Sequence, residues 1–250
     1  MKVSDFVIEY FERNKVDTCF TISGGGCIHL IDSLRKSKIQ TVCPHHEQTA
    51  LMASEGYYRQ SGKMSLNVVT TGPGGTNTLT GLLGLWLDSI PSVIVSGQVP
   101  LSQISRGTGC RQIGDQEFDI VGCVKNMTKY SVMIEHPQEI IHKVKKAHAI
   151  AMSGRPGPTW IDIPLDIQGA DIKVSEGSFE PYNKLNKKVK DYSSLEELLK
   201  ESKKPLIVVG NGIRLSNTYE KLDNFLRETN IPVVTGPHSG VDVVDNTLKN

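Results

Sequence analysis

Ser65-Leu66-Asn67-Val68-Val69-Thr70-Thr71-Gly72-Pro73-Gly74-Gly75-Thr76-Asn77 is the stretch whose reading decides the fold. Its first seven residues are rich in aliphatic and β-branched side chains without strict polar alternation, the mark of a strand covered on both faces. Gly72 to Gly75 break that strand, and the residues from about Thr76 to Asp88 read as a helix. A strand that passes through a glycine turn into a helix is the β-α step of a parallel sheet. The glycines also let backbone approach a flat or anionic group, although alone they read equally as a plain tight turn.

The same step recurs on both sides. Upstream, Ser4 or Asp5 caps a helix through about Asn14, Thr18 to Ile22 form a strand, Ser23-Gly24-Gly25-Gly26 break it, and Ile28 to Lys36 form a second helix. Ile39 to Cys43 then read as a strand, and His46 to Gln60 as a helix stopped by Ser61-Gly62. Downstream, Ser92 to Gly97 and Pro158 to Pro164 are strands, and Pro137 to Met152 is helical. The alternation predicts an α/β fold, an open parallel sheet flanked by helices, over residues 1–170. Residues 171–200 are largely polar and read as a linker. A new β-α-β unit over residues 201–250, from Pro205 to Gly212, a helix near Asn217 to Thr229, and Ile231 to Thr235, reads as the start of a second, Rossmann-like α/β domain.

With 38% hydrophobic and 22% charged residues the composition is that of an ordinary globular protein, and a net charge of +1 gives no electrostatic reason to expect nucleic acid or an anionic membrane as partner. Cys19, Cys27, Cys43, Cys110 and Cys123 lack metal-ligand spacing and read as reduced, mostly buried thiols. No signal-peptide region or bilayer-spanning stretch occurs, so a cytoplasmic location is expected. His29, His45 and His238 have no acid or thiol partner at ligand spacing, and no metal is assigned to them.

One acidic residue stands in an apolar setting: Glu47, in Pro44-His45-His46-Glu47-Gln48-Thr49-Ala50-Leu51-Met52-Ala53. A carboxylate there is poorly solvated if the Ala/Leu/Met face packs inward, which equips it to exchange a proton with a ligand. Locally it reads as well as a first-turn glutamate complementing a helix dipole. In a parallel sheet, ligands bind beyond the carboxyl ends of the strands, so the loops 23–26, 44–47 and 71–77 are expected to converge on one cleft.

Seven ordered segments carry a resemblance: Phe20-Thr21-Ile22-Ser23-Gly24-Gly25, His46-Glu47-Gln48-Thr49-Ala50, Thr71-Gly72-Pro73-Gly74-Gly75-Thr76-Asn77, Leu87-Asp88-Ser89-Ile90-Pro91, Ser96-Gly97-Gln98-Val99-Pro100, Gln116-Glu117 and Gly154-Arg155-Pro156-Gly157-Pro158. Through them the chain resembles the thiamine diphosphate (ThDP) enzymes, in the acetolactate synthase-like branch. Residues 1–170 then correspond to the pyrimidine-binding domain and residues 201–250 to part of the central domain. The resemblance implies decarboxylation of a 2-keto acid and ligation of the resulting enamine to a second carbonyl. Its catalytic residue would be Glu47, bonded to N1' of the cofactor aminopyrimidine and favouring the tautomer that takes the C2 proton.

By the same resemblance Gly24, Gly25, Pro73 and Asn77 border the cofactor, and Gln98, Asp115 and Gln116 lie on the substrate side. Arg155 matches an arginine that contacts FAD in flavin-containing members, and reads equally as a surface arginine fixing a Pro-rich turn. His46 either orients Glu47 or is a satisfied, partly buried histidine, and Asp88 reads as a cap or turn residue. Where synthases of branched-chain amino-acid biosynthesis read Asp-Ala-Phe before Gln-Glu, this chain has Ile113-Gly114-Asp115, and Ser23 stands where proline is usual. These departures point to another keto acid or a modified sugar as substrate.

The family grips the cofactor diphosphate through Mg2+ with Gly-Asp-Gly and a later Asn-Asn, and neither occurs here. The chain alone is therefore expected to bind ThDP weakly and not to turn over, as the front part of a longer enzyme or one subunit of a split one. A homodimer or homotetramer is expected, since the family's cofactor lies between subunits. From a different class, the competing reading is a non-catalytic nucleotide-binding or regulatory module that retains the fold.

Overall fold

The computed structural model describes residues 1–182 and 191–236. The chain forms two compact units, Met1–Asn186 and Lys187–Asn250.

In the first unit the elements run α1 (Val3–Arg13), β1 (Thr18–Thr21), α2 (Ile28–Lys36), β2 (Gln40–Val42), α3 (Glu47–Ser61), β3 (Ser65–Val69), α4 (Pro73–Thr76), α5 (Leu79–Leu87), β4 (Ser92–Gln98), α6 (Ile120–Val124), β5 (Tyr130–Met133), α7 (Ile140–Met152), β6 (Pro158–Pro164) and α8 (Leu165–Gly169). The strands form one six-stranded sheet in the order β2-β1-β3-β4-β6-β5, every neighbour parallel. This is the α/β architecture expected from the alternation of apolar runs and helical segments.

Side chains alternate across that sheet and build two cores. Cys19, Leu66, Val68, Val93, Val95, Ile161 and Ile163 face one side, where they pack with Phe6, Phe11, Leu30 and Leu34 of α1 and α2 and with Val144 and Ala147 of α7. Phe20, Val69, Ile94 and Trp160 face the other and pack with Leu51 of α3, Leu82 and Leu85 of α5 and Val124 of α6. Fully burying each of these large aliphatic or aromatic groups contributes about 1.5–3 kcal/mol.

Three readings are corrected. The first helix starts at Val3 with Lys2 as N-cap and no side-chain cap; Ser4 is buried and Asp5 instead accepts from Ser33 Oγ at 2.7 Å. The helix read from Thr76 to Asp88 is the shorter α5, preceded by the one-turn α4, with Asn77 and Thr78 between them at helical φ and ψ and the Thr78 hydroxyl donating to Gly75 O at 2.6 Å. The thiols are divided: Cys19 and Cys27 are buried, but Cys43 follows the exposed edge strand β2 and Cys110 lies in an exposed loop, so both are open to solvent. Burial raises the Cys27 thiol to about 11.

After β6 the chain returns to its own start. Val3 N donates to Ala170 O and Ile172 N to Met1 O, both at 2.9 Å, on either side of an antiparallel bridge between Lys2 and Asp171. Ile172 and Phe179 are buried in the first core, with the Phe179 ring 5.2 Å from Phe6 and the Arg13 guanidinium 4.1 Å above it.

In the second unit α9 (Ser193–Glu201) is followed by β7 (Ile207–Val209), α10 (Gly212–Ser216), α11 (Tyr219–Thr229) and β8 (Val233–Thr235), with β7 and β8 parallel. His238 lies outside the described residues. Among the described residues no helix is long and apolar enough to cross a membrane.

Candidate active site

From β1 the chain crosses to β2 on one side and then to β3 on the other. That reversal opens a crevice beyond the carboxyl ends of β1 and β3, bordered by the turn after β1 and the Thr70–Gly72 turn. Three strand ends feed it, and the helix N-termini of α3 and α4 follow directly.

Close backbone approach is what the glycines supply. A Cβ on Gly24 would lie 2.5 Å from Thr70 Cβ, and one on Gly74 would lie 2.6 Å from Thr70 Cγ2. Thr70 thus fills the space between the two turns, and its Oγ1 accepts from Gly26 N at 3.1 Å. Gly25 by contrast has open space before it. The same Gly74 position is 3.6 Å from Glu47 Oε1, which brings the carboxylate to the crevice wall.

Glu47 is the first residue of α3 and is half-buried. Asn77, at the end of α4, donates through Nδ2 to Glu47 Oε2 at 3.0 Å. Pro73 opens α4 and its carbonyl accepts from Asn77 N at 2.9 Å, so the turn itself sets where Asn77 stands. His46 is exposed and caps α3, its Nδ1 accepting from Gln48 N at 3.1 Å, and so serves the helix. The structure therefore brings Gly24, Gly25, Glu47, Pro73 and Asn77 to one crevice. An apolar wall around Glu47 is not completed within this unit, since His45 and Met52 face solvent.

Of the other residues singled out in the sequence, Gln98, Asp115 and Arg155 are placed elsewhere, and Gln116 meets the crevice only through its carbonyl on Gly72. Gln98 is buried at the end of β4: its Nε2 donates to Phe118 O at 2.9 Å and to Asp162 Oδ2 at 3.1 Å, and its Oε1 accepts from Val99 N at 3.0 Å. It forms part of the floor of a separate pocket of about 670 Å³, shared with Arg106, Phe118, Asp119, Met133 and Asp162. Asp115 and Gln116 are exposed in the loop that follows β4. Gln116 has φ 59° and sets its carbonyl against Gly72, which itself has φ 55°. A Cβ on Gly72 would lie 2.2 Å from that carbonyl oxygen, so no side chain fits there. Arg155 donates through Nε to Ser89 Oγ at 2.6 Å and through Nη2 to Leu87 O at 3.3 Å, holding the turn that precedes β4. Asp88 caps the end of α5 and pairs with Arg59. Among the described residues no group of three or more His, Cys, Asp and Glu is placed to hold a metal ion.

Asp162 is the residue that sequence reasoning passed over. It is 1% exposed, on the same face of β6 as Trp160, and it accepts from Ser96 Oγ at 2.6 Å as well as from Gln98. Burial pushes its carboxyl up to about 7, against the pull of those two donors. The signal was present, because an acid between Ile161 and Ile163 in an otherwise apolar strand must find partners or stay protonated.

The sequence profile of the thiamine pyrophosphate enzyme N-terminal TPP binding domain matches residues 1–122, and that of the thiamine pyrophosphate enzyme central domain matches residues 193–249. Among curated proteins the chain is 37% identical over 241 residues to the chloroplastic acetolactate synthase of Arabidopsis thaliana, covering 94% of this chain and 35% of that protein. It is 35% identical over 238 residues to the acetolactate synthase large subunit of Lactococcus lactis, covering 93% and 40%. With the acetolactate synthase isozyme 2 large subunit of Escherichia coli it shares 33% over 237 residues, covering 93% and 41%. The chain thus spans well under half the length of these relatives.

Proposed function

The chain belongs to the thiamine pyrophosphate enzyme family, and on that premise we propose that it supplies the aminopyrimidine side of an acetolactate synthase-like active site. The enzyme would decarboxylate a 2-keto acid and ligate the product to a second carbonyl compound.

The residues present fit the cofactor. Gly24 and Gly74 stand where a Cβ would collide with Thr70, Gly25 is open, and a carboxylate lies at the crevice wall. Such a slot admits a flat ring and offers it an acceptor at one edge. Bound thiamine diphosphate would supply the carbanion chemistry that breaks and forms the carbon–carbon bonds. Glu47 would hold a proton on the ring-facing oxygen, and Asn77 would fix the carboxylate by occupying the other. Pro73 and Gly24 would border the ring. We place Mg2+ and the diphosphate on a separate domain, as in the family.

A homodimer or homotetramer accompanies this reading, and the exposed Met52 of α3 with Leu83 and Leu87 of α5 supports it by offering apolar surface on two packed helices. The observation that carries the proposal is the Asn77–Glu47 hydrogen bond against the glycine-lined crevice. The test is CO2 release from a panel of 2-keto acids by the whole enzyme containing this chain, loaded with ThDP and Mg2+. Release that is lost in Glu47→Gln supports it; no release from any 2-keto acid, or undiminished release in the variant, ends it.

A further inference from the structure

The pocket beside β4 and β6 is built on a buried acid that the chemistry at Glu47 does not use. Asp162, Ser96 and Gln98 lie on one face of the sheet, in the register Ser96↔Asp162 of the parallel pair. Trp160 Nε1 donates to Ser96 Oγ at 2.7 Å, Ser96 donates to Asp162 Oδ1, and Gln98 Nε2 donates to Asp162 Oδ2. Gln98 then spends its remaining capacity on the segment that closes the pocket, through Phe118 O and Val99 N. Within that segment the Glu117 carboxylate accepts from Ser105 Oγ at 2.8 Å and Ile113 N at 2.8 Å, so the loop is tied as one piece.

We propose that Asp162 is a positioning residue, whose ionised carboxylate holds Gln98 against Phe118 and thereby seats the 99–119 segment over this pocket, which we take to admit the 2-keto acid. Gln98 Nε2 can only donate, so a proton on Oδ2 sets donor against donor, and a proton on Oδ1 forces the Ser96 hydroxyl to turn from donor to acceptor. Hydrogen bonds to the charged form are also about twice as strong as those to the neutral acid. Of the ionisable groups around the pocket, Asp119 opposes the charge on Asp162, while its Oδ1 caps α6 by accepting from Gly122 N at 2.9 Å. Arg106 is paired with Glu135, and Arg111 and Glu117 line the same pocket. On β5, Met133 stands opposite Asp162. Burial places the change in ionisation near neutral pH, at about 7.

Trp160 makes the device observable without any cofactor, because its indole N–H reports on Ser96 and so on Asp162. The pH dependence of fluorescence is recorded for the protein and for Trp160→Phe, and the difference isolates that indole. A transition near neutrality that vanishes in Asp162→Asn is expected. A flat difference signal between pH 5 and 9, or one that survives in Asp162→Asn, overturns the proposal. Should Asp162→Asn not fold, Gln98→Met decides: loss of a donor to the charged form moves the midpoint up by about one pH unit, and an unmoved or lowered midpoint overturns it.

The kinetic arm rests on the function proposed above. In the holoenzyme KM for the 2-keto acid rises about fivefold as pH falls through 7 while kcat holds, and Asp162→Asn has a raised KM that no longer follows pH. An enzyme without 2-keto acid activity would refute the function and leave the fluorescence arm to judge Asp162 by itself.

Discussion

Asn77 donates to Glu47 Oε2 across 3.0 Å, and so ties the helix after β3 to the helix after β2 over the carboxyl end of β1. The bond fixes which oxygen of the carboxylate remains for a ligand. Substituting Glu47→Gln should leave the fold intact and slow exchange of the C2 proton of ThDP bound to the whole enzyme by orders of magnitude, as read by NMR after acid quench. Asn77→Ala should slow it about 10- to 100-fold, the worth of one hydrogen bond to a charged group.

Thr70 wedges between Gly24 and Gly74. A methyl group at Gly74 meets Thr70 Cγ2 first, at 2.6 Å, so Gly74→Ala should weaken cofactor binding by the whole enzyme at least about tenfold, the effect of about 1.4 kcal/mol. Adding Thr70→Ser removes that methyl and keeps the hydroxyl that accepts from Gly26 N. Calorimetry should then show binding partly restored.

The buried Asp162 and the partly buried His148 give the stability of the sheet unit opposite dependences on pH. Burial lowers His148, whose Nδ1 is 3.1 Å from the Tyr10 hydroxyl, from 6.5 to about 4. Its contribution is complete above pH 6.5 and is lost as pH falls towards 4. Asp162 is raised from 3.8 to about 7, so the folded state binds the extra proton; its contribution is complete below pH 3.8 and is lost as pH rises to 7. Each slope is at most about 1.4 kcal/mol per pH unit. Thermal melts between pH 4 and 6.5 should therefore be nearly flat, rise with pH in Asp162→Asn, and fall with pH in His148→Gln.

Arg155 holds Ser89 and Leu87 O, and Ser89 itself has φ 59°. Arg155→Ala should release this turn and cost about 1 kcal/mol, a fall in Tm of about 2–4 °C. A scanning calorimeter would check it.

Legibility in the sequence followed the strength of the local signal. The helix ending before Gly62 and the strand Pro158–Pro164 are readable because a left-handed glycine ends a helix, and a seven-residue run with Thr159, Trp160, Ile161 and Ile163 between prolines is too short for a buried helix. The crevice was readable because parallel strands deliver their loops to one edge. Three features were not. The break between α4 and α5 falls at Asn77 and Thr78, both at helical φ and ψ, so a periodic pattern runs straight through it. The burial of Gln98 depends on Asp162, 64 residues away in sequence. The exposure of Asp115 goes with Gln116 docking on Gly72, a contact between loops.

The pairing of Lys2 with Asp171, flanked by the Val3–Ala170 and Ile172–Met1 hydrogen bonds, closes the sheet unit on itself like a clasp. A unit whose start touches the stretch that follows its last strand is a natural cassette: joining its two ends with a short bridge and reopening the chain at the exposed Gly107–Gly109 bend would give a circular permutant with every strand neighbour retained. The arrangement of Glu47, Asn77 and Thr70 would then be independent of chain order, a property of the folded cassette alone.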